Sequence, residues 1–307
     1  MHPGCLLDIW SLTREEIEDI LRAASRFAAP RSSKLAKTAQ GKVVALLFYE
    51  ASTRTRVSFE LAAKSIGAQT TVITANVSSI EKGESLIDTG LTLQALGADC
   101  IVIRHPSSGA PHVLARSLNI PVVNAGDGTH EHPTQALLDA YTILQHRRSL
   151  KGLKLAIVGD ILHSRVTRSN MHLLAKMGAE VVLCGPPELL PDAFAEIVDS
   201  ELRSHITIER NFDRAIAEVD AVMMLRIQKE RLEGMEIDVA KFMSGYQLNA
   251  ERKAKGNPDL LVMHPGPMIR GLEITADVAD GKGSVITEQV RNGVFVRRAV
   301  LARALKS

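Results

Sequence analysis

Short apolar runs alternate with amphipathic segments along most of the chain. In the first half, runs typical of buried strands occur at residues 43–49, 70–74, 100–103 and 121–124. Apolar positions at helical spacing predict helices near residues 55–66, 84–97, 110–118 and 133–147. This alternation predicts right-handed βαβ units, and therefore an α/β fold in which a parallel sheet has helices on both faces.

A second series of the same kind begins after the basic segment HRRSLKG at residues 146–152. Its predicted strands are residues 154–158, 180–184, 205–208, 221–224 and 260–263. The last segment, residues 285–307, predicts a single helix that packs back on the first domain. We therefore expect two open parallel-sheet α/β domains, one of residues 1–133 with 289–307 and one of residues 134–288.

Composition agrees with two domains and excludes several classes of protein. The 307 residues exceed the usual size of one core, and the net charge of +2 demands neither a nucleic-acid nor a membrane partner. An aromatic content of 4% argues against a groove that stacks on nucleic-acid bases. Three distant cysteines without a CxxC pair predict no zinc site and a reduced, cytoplasmic protein. We expect neither a signal peptide nor a transmembrane helix.

The first strand-to-helix crossing carries five consecutive polar residues, STRTR at residues 52–56. In open α/β sheets, ligands bind outside the carboxyl ends of the strands, where helices begin. The N–H groups of a first helical turn attract anions, and guanidinium forks match phosphate or carboxylate oxygens. The segment therefore indicates a small-anion site, a contact to a nucleic-acid backbone, or an ordinary helix cap.

Two further predicted strand ends carry polar residues of the same kind, which favours a ligand site over capping alone. Arg104 and His105 follow the third strand, and His132, Thr134 and Gln135 stand at the entry of a helix after the fourth. The chain has no GxxxxGK[ST], no GxGxxG and no HExxH pattern. We therefore predict neither a P-loop, nor a dinucleotide site, nor a metal site.

Four motifs together resemble the signatures of the carbamoyltransferases, and the resemblance covers essentially the whole chain. They are STRTR at residues 52–56, RHP at 104–106, HPTQ at 132–135 and HPGP at 264–267. The resemblance implies a two-domain enzyme that transfers the carbamoyl group of carbamoyl phosphate to an amino acid, without a metal or another cofactor.

Within this family, three features resemble the catalytic chains of the aspartate-specific members. Lys82 precedes Gly83 and Glu84, the second histidine motif is HPTQ and not HPCQ, and the HPGP motif lacks the cysteine of ornithine enzymes. The resemblance thus implies that L-aspartate is carbamoylated to N-carbamoyl-L-aspartate, an early step of pyrimidine biosynthesis. Ornithine is the alternative acceptor.

The resemblance also implies residue roles. Ser52, Thr53, Arg54 and Thr55 are expected to hold the phosphate. Thr55, Arg104 and His132 are expected to act as catalytic residues on the carbamoyl oxygen. The other residues expected to bind carbamoyl phosphate are Gln135, Pro265, Gly266 and Pro267, and those expected to bind aspartate are Lys82, Arg165, Arg226 and Gln228. No general base is predicted, because the leaving phosphate can itself accept the amine proton. For Arg226, pairing with Glu230 or Glu233 at a rim is the alternative.

The family pattern further implies a homotrimer with shared active sites, in which Ser78 and Lys82 come from the neighbouring subunit. Higher assembly with dihydroorotase or with a regulatory chain stays open. Residues 266–268 read Gly-Pro-Met, a pattern that resembles the branch associated with dihydroorotase and disfavours a nucleotide-binding regulatory chain.

Overall fold

The computed structural model describes residues 1–29, 37–74, 84–227 and 238–306. Internal contacts divide the chain into two compact units, Met1–Tyr141 with Val290–Ser307, and Thr142–Gln289. The domain division predicted from the sequence, at residues 133/134 and 288/289, stays a prediction. The assignment of one substrate to each domain stays a prediction.

The first unit contains a four-stranded parallel sheet with the strand order β2-β1-β3-β4. The strands are β1 (Val43–Phe48), β2 (Gln69–Thr74), β3 (Cys100–His105) and β4 (Val122–Asp127). The helices of this part of the chain are α1 (Arg14–Ala28), α2 (Thr53–Ser65), α3 (Leu86–Ala95), α4 (Ala110–Ser117) and α5 (Pro133–His146).

The apolar runs of β1 and β3 form the centre of this sheet. Val44, Leu46, Ile101 and Ile103 have no exposed surface, as expected for parallel strands that are covered on both faces. The edge strand β2 differs, because all six of its residues are exposed or only partly buried. The alternation of apolar runs therefore predicted the place of each strand, though not all of their ends, and the predicted fold class is confirmed.

The second unit contains a five-stranded parallel sheet with the strand order β7-β6-β5-β8-β9. The strands are β5 (Lys154–Val158), β6 (Glu180–Cys184), β7 (Ile206–Ile208), β8 (Ala221–Met224) and β9 (Leu261–Met263). The helices of this part of the chain are α6 (Arg165–Lys176), α7 (Phe212–Ala217), α8 (Val239–Tyr246), α9 (Ala250–Lys253), α10 (Ala276–Ala279) and α11 (Ile286–Ala304), whose residues from Val290 onwards belong to the first unit. Three short 3-10 helices, Pro187–Leu189, Asp192–Ile197 and Ser200–His205, lie between β6 and β7.

Each sheet has one switch point, where successive strands are added on opposite sides. In the first sheet it lies between β1 and β3, and in the second between β5 and β8. Ligands of open α/β sheets bind beyond the carboxyl ends of the strands at such points. At the second switch point Gly159 has φ +126°, and a Cβ there would lie 2.6 Å from the Leu225 carbonyl oxygen. Only glycine fits this backbone approach.

The C-terminal helix α11 returns to the first unit from Val290 onwards. Arg303 donates from Nη1 to the Cys5 carbonyl (3.0 Å) and from Nη2 to Glu16 Oε1 (2.9 Å). The prediction that this helix packs on the first domain is therefore confirmed. None of the helices in the described ranges combines the length and the apolarity that crossing a bilayer requires.

The N-terminal segment runs along β4 and ends beside the entry of α5. The Asn124 N–H donates to the Leu6 carbonyl at 2.8 Å, and the Ile9 N–H donates to Glu131 Oε2 at 2.9 Å. Asp8 is buried in this segment, and its Oδ2 lies 2.7 Å from His112 Nε2. A buried carboxyl thus ties the N-terminal segment to α4.

Asp8→Asn is expected to lower the free energy of unfolding at neutral pH by up to about 2 kcal/mol. Burial alone would raise the pKa of the Asp8 carboxyl, but hydrogen bonds with His112 and Ser11 outweigh burial and lower the pKa to about 2. Because the folded pKa is depressed, the carboxylate stabilises the fold above its unfolded pKa near 4. This contribution is lost as the pH falls from about 4 towards about 2.

Urea denaturation of both chains, at neutral pH and in steps down to about pH 3, measures this difference. The control is Asp19→Asn, since the Asp19 carboxylate is exposed on α1 and pairs with Arg22 at 2.7 Å. Such an exposed ion pair contributes little to the free energy of unfolding, so the control variant should keep the native stability. A stability difference for Asp8→Asn that stays constant throughout the acid range would contradict the prediction.

Candidate active site

The polar segment STRTR lies at the switch point of the first sheet, at the start of α2. Ser52 occupies the N-cap position, but its side chain makes no capping hydrogen bond. The first helical hydrogen bond runs from the Arg56 N–H to the Ser52 carbonyl at 3.1 Å. The interpretation of Ser52 as a side-chain cap is therefore wrong, and its hydroxyl stands at the N-terminal end of the helix.

The side chains of this first turn divide between surface and interior. Thr53 and Arg54 are exposed, Ser52 is half-buried, and Thr55 is buried. The N–H groups of a first helical turn precede the helical hydrogen-bond ladder and carry partial positive charge. The turn therefore presents hydroxyls, N–H groups and a guanidinium at one edge of the sheet, which is chemistry suited to an oxyanion.

Arg104 lies on the other side of the switch point. β3 continues to His105, two residues beyond the predicted end, and Arg104 pairs in register with Phe48 of β1. The Arg104 Nη1 donates to the Ala125 carbonyl at 3.4 Å, and its Nη2 lies 3.4 Å from Glu50 Oε1. Sequence reasoning missed Glu50, although it stands two residues before STRTR.

His105 has a structural environment. Its ring packs against Tyr49 with centroids 4.6 Å apart, and its Nδ1 accepts the Ser107 N–H at 3.0 Å. Burial lowers the pKa of His105, which favours the neutral ring. His105 therefore shapes the loop after β3.

Asp127, at the end of β4, fixes the neighbouring loop. It has no exposed surface, and it accepts hydrogen bonds from the Gly109 N–H (2.7 Å) and from Asn124 Nδ2 (2.8 Å). Burial would raise the pKa of the Asp127 carboxyl, but hydrogen bonds with His130, Asn124 and Gly109 outweigh burial and lower it. This carboxylate joins the end of β4 to the start of α4.

The HPTQ motif forms the entry of α5 after β4. His132 is buried, and its carbonyl accepts the Gln135 N–H at 2.9 Å. Gln135 is also buried, and its Nε2 donates to Asp139 Oδ1 at 2.9 Å. The structure thus places Ser52–Thr55, Arg104, His132 and Gln135 at or after the ends of three neighbouring strands, at the carboxyl edge of one sheet. Sequence reasoning missed Asp139.

Arg165 and Arg226 occupy the equivalent edge of the second sheet. Arg165 is the first residue of α6, where the Ser164 side chain caps the helix by accepting the Thr167 N–H. Arg165 is largely buried and Arg226, two residues after β8, is half-buried. Both follow the strands that flank the switch point, β5 and β8. Two guanidinium groups at this position suit a carboxylate-bearing ligand.

The HPGP motif forms a turn directly after β9. His264 is buried, its Nδ1 accepts the Gly266 N–H (2.8 Å), and its Nε2 lies 3.1 Å from Glu273 Oε1. Gly266 has φ +69°, and the Gly266–Pro267 peptide is cis. The buried His264 side chain therefore fixes the backbone of this turn through its hydrogen bond with the Gly266 N–H. Pro265 and Gly266 themselves are partly accessible.

Arg270, which follows this turn, pairs with Asp280. Its Nη1 and Nη2 lie 2.6 and 2.9 Å from the two carboxylate oxygens of Asp280. The pKa of Asp280 is lowered by this guanidinium. The pair is exposed, and it ties the segment after the turn to the end of α10.

Five residues of the sequence predictions lie outside the described residues: Ser78, Lys82, Gln228, Glu230 and Glu233. The roles predicted for Ser78, Lys82 and Gln228, and the rim pairing of Arg226 with Glu230 or Glu233, stay predictions. Within residues 1–29, 37–74, 84–227 and 238–306, no cluster of three His, Cys, Asp or Glu residues has a metal-binding arrangement.

Comparison with known proteins gives matches over the whole chain. Residues 5–145 match the family model for the aspartate/ornithine carbamoyltransferase carbamoyl-P binding domain, and residues 151–304 match that for the Asp/Orn binding domain. The aspartate carbamoyltransferase catalytic subunit of Koribacter versatilis is 57% identical over 303 residues, which cover 99% of this chain and 97% of that protein. The corresponding subunit of Solibacter usitatus is 50% identical over 305 residues, covering 99% of each.

Solved structures of the same family have the same fold. The ornithine carbamoyltransferase of Pyrococcus furiosus superposes with a TM-score of 0.89 at 29% identity, over 99% of this chain and 97% of that one. The aspartate transcarbamoylase of Trypanosoma cruzi in complex with N-(phosphonacetyl)-L-aspartic acid gives a TM-score of 0.89 at 29% identity, over 99% and 96% of the two chains. Motifs, sheet topology and both domain matches agree, and the chain belongs to the aspartate/ornithine carbamoyltransferase family.

Proposed function

We propose that this protein transfers the carbamoyl group of carbamoyl phosphate to the α-amine of L-aspartate. The products are N-carbamoyl-L-aspartate and phosphate, which places the reaction early in pyrimidine biosynthesis. The observation that carries the proposal is the cationic, hydroxyl-rich start of α2 beside Arg104, at the switch point of the first sheet. The relatives named aspartate carbamoyltransferase support the choice of aspartate as acceptor.

The phosphate of carbamoyl phosphate is held by the first turn of α2. Ser52, Thr53 and Thr55 supply hydroxyl donors, and Arg54 supplies a charge-assisted fork. The Ser52 hydroxyl is not engaged in capping the helix, so it is available to the ligand. Helix N–H groups complete the cradle without a metal ion.

The carbamoyl oxygen is polarised by Thr55, Arg104 and His132. That oxygen gains negative charge when the amine attacks the carbonyl carbon, and donors aimed at developing charge are worth roughly 3–4 kcal/mol each when one is removed. The carbamoyl NH2 is held by Gln135 and by the backbone carbonyls of Pro265 and Gly266, with Pro267 closing the turn. The leaving phosphate accepts the amine proton, so the transfer needs no separate general base.

The carboxylates of aspartate are bound by Arg165 and Arg226. Both guanidiniums stand where ligands of this fold class bind, at the β5–β8 switch point. Lys82 and Gln228 add polar contacts in this proposal. An acceptor with two carboxylates needs such cations, whereas the second amine of ornithine is repelled by them.

We place this activity in a cytoplasmic homotrimer with shared active sites, to which Ser78 and Lys82 come from the neighbouring subunit. Val57 and Leu61 on α2 and Val72 on the adjacent strand β2 are exposed apolar side chains. They support the proposal that a second copy of the chain covers this surface. Parallel strands are normally covered, yet within the described ranges β2 pairs with β1 alone. A solution mass of three chains by light scattering is the expected result.

Assembly with dihydroorotase or with a regulatory chain is a separate proposal, and neither is needed for the transfer.

The function is tested by offering L-aspartate and L-ornithine side by side with carbamoyl phosphate. Formation of carbamoyl-aspartate and phosphate in equal amounts, with little transfer to ornithine, is the expected result. A preference for ornithine would overturn the choice of acceptor, and absence of transfer to either would overturn the proposal itself. A variant outside the site, Arg22→Ala, should show the same transfer activity and acceptor preference as the native protein. Arg22 is exposed on α1, and among the ion pairs of the described chain it pairs only with residues of its own helix.

A further inference from the structure

Arg297 is a buried arginine on α11 within the first unit. It retains 4% of its surface, and its Nη1 donates to the Ser58 hydroxyl at 2.7 Å. Its guanidinium lies over the Phe59 ring, 5.1 Å from the centroid. Ser58 stands one helical turn after Thr55, so Arg297 braces α2 directly behind the proposed phosphate cradle. A Cβ at position 293 would lie 2.7 Å from Nη1, and Gly293 therefore makes room for this side chain.

Asp139 supplies the charge that opposes this buried guanidinium. Burial lowers the pKa of Arg297 to about 10, and the Asp139 charge acts against that effect. Asp139 has no exposed surface, and its Oδ1 accepts a hydrogen bond from Gln135 Nε2 at 2.9 Å. Asp139 is therefore joined to Gln135 by a hydrogen bond and to Arg297 by charge, while Arg297 is joined to Ser58 by a hydrogen bond.

The hydrogen bond with Asp139 determines which end of the Gln135 amide is left for a ligand. An ionised carboxylate only accepts hydrogen bonds, and the carboxamide offers its donors on nitrogen alone. Asp139 therefore takes the NH2 end of Gln135, and the amide oxygen Oε1 stays as the acceptor for a ligand. An acceptor at this place complements a ligand that carries N–H groups.

We propose that Asp139 is a positioning residue that orients Gln135 to select a carbamoyl group over an acyl group of the same shape, and that Arg297 supplies the charge that opposes the buried carboxylate. The inference rests on the proposed function, because it assigns the Gln135 oxygen to the NH2 of carbamoyl phosphate. Acetyl phosphate has a methyl group in place of that NH2 and would leave Oε1 unpaired. Sites that hydrogen-bond an N–H group discriminate strongly against analogues that lack it.

Binding of carbamoyl phosphate, acetyl phosphate and inorganic phosphate by calorimetry tests the proposal without an acceptor substrate. We expect the native protein to prefer carbamoyl phosphate to acetyl phosphate by at least about tenfold. In Asp139→Asn the residue at 139 can also donate, so the Gln135 amide is free to reverse. The preference should then shrink to about threefold or less, while the affinity for inorganic phosphate stays unchanged.

Two companion variants separate positioning from folding. Should Asp139→Asn leave a destabilising buried charge, the double variant Asp139→Asn with Arg297→Gln removes both charges and should show the same loss of preference. Arg297→Lys keeps the positive charge and is expected to retain most of the preference. The matched control is Arg298→Gln on the same helix, because Arg298 Nη1 donates to the Phe27 carbonyl at 3.4 Å and should leave the preference unchanged.

The outcomes distinguish the inference from the function on which it rests. A native protein that binds neither carbamoyl phosphate nor phosphate would overturn both. A native protein with the expected preference, together with folded Asp139 variants that keep it, would overturn the positioning role of Asp139 alone. Equal weakening of carbamoyl phosphate, acetyl phosphate and inorganic phosphate in those variants would likewise overturn that role, since it would mean general damage to the site.

Discussion

Arg104→Ala is expected to lower kcat for carbamoyl transfer by roughly 10²–10³-fold. The guanidinium is the charged donor that we assign to the carbamoyl oxygen, and its contribution is largest when that oxygen becomes an anion. Because the interaction strengthens in the transition state, the loss should appear mainly in kcat. Steady-state kinetics with both substrates varied measures the two parameters separately.

The position of Arg104 explains why a large effect is expected. It emerges from a central buried strand, and it is held by the Ala125 carbonyl and by Glu50, each at 3.4 Å. Contacts of this length are weaker than ideal hydrogen bonds, so an oxyanion with shorter bonds can replace Glu50 as the partner. The rigid strand keeps the guanidinium in place before the substrate arrives, which is the condition for electrostatic stabilisation of a transition state.

Two controls accompany this variant. Arg104→Lys keeps one positive charge but loses the fork, and it should recover only part of the activity. Arg22→Ala should behave as the native protein. A fall in kcat of less than about threefold for a folded Arg104→Ala chain would contradict the assignment of Arg104 to the carbamoyl oxygen.

The sequence predicted those features that depend on local pattern. Buried strands such as β1 and β5 are continuous apolar runs, and a strand end followed by STRTR or by Arg104 is visible in the order of the residues. The ends of β3 and β4 were predicted too early, at residues 103 and 124. Both strands continue through polar residues, to His105 and Asp127, and polar residues resemble a loop when only the pattern is read.

The supporting residues of the site could not be predicted, because tertiary packing alone brings them together. Ser58 and Arg297 are 239 positions apart in the chain and meet by a 2.7 Å hydrogen bond. Asp139 offered a weak signal, since it stands four residues after Gln135 on a predicted helix, where side chains share a face. The 3-10 helices between β6 and β7 gave no signal, because a proline-containing segment without helical periodicity reads as a loop.

Arg226→Ala is expected to raise the KM for L-aspartate by roughly 100-fold, with little change in the affinity for carbamoyl phosphate. A guanidinium that binds a carboxylate through two charge-assisted bonds contributes about 1.5–3 kcal/mol for each bond to the charged group. Arg226 is half-buried two residues after β8, where water weakens such bonds less than it does at the surface. Steady-state kinetics at saturating carbamoyl phosphate measures the KM.

The matched control is Arg214→Ala, also in the second unit, since Arg214 is exposed and pairs with Glu209 at 3.2 Å. It should leave both KM values unchanged. An Arg226→Ala enzyme with an unaltered KM for aspartate would mean that Arg226 is a rim residue, and that another cation binds the acceptor's carboxylates. A gain of transfer to ornithine in the same variant would show that the Arg226 guanidinium has two roles in specificity. It would repel the second amine of ornithine in addition to attracting the carboxylates of aspartate.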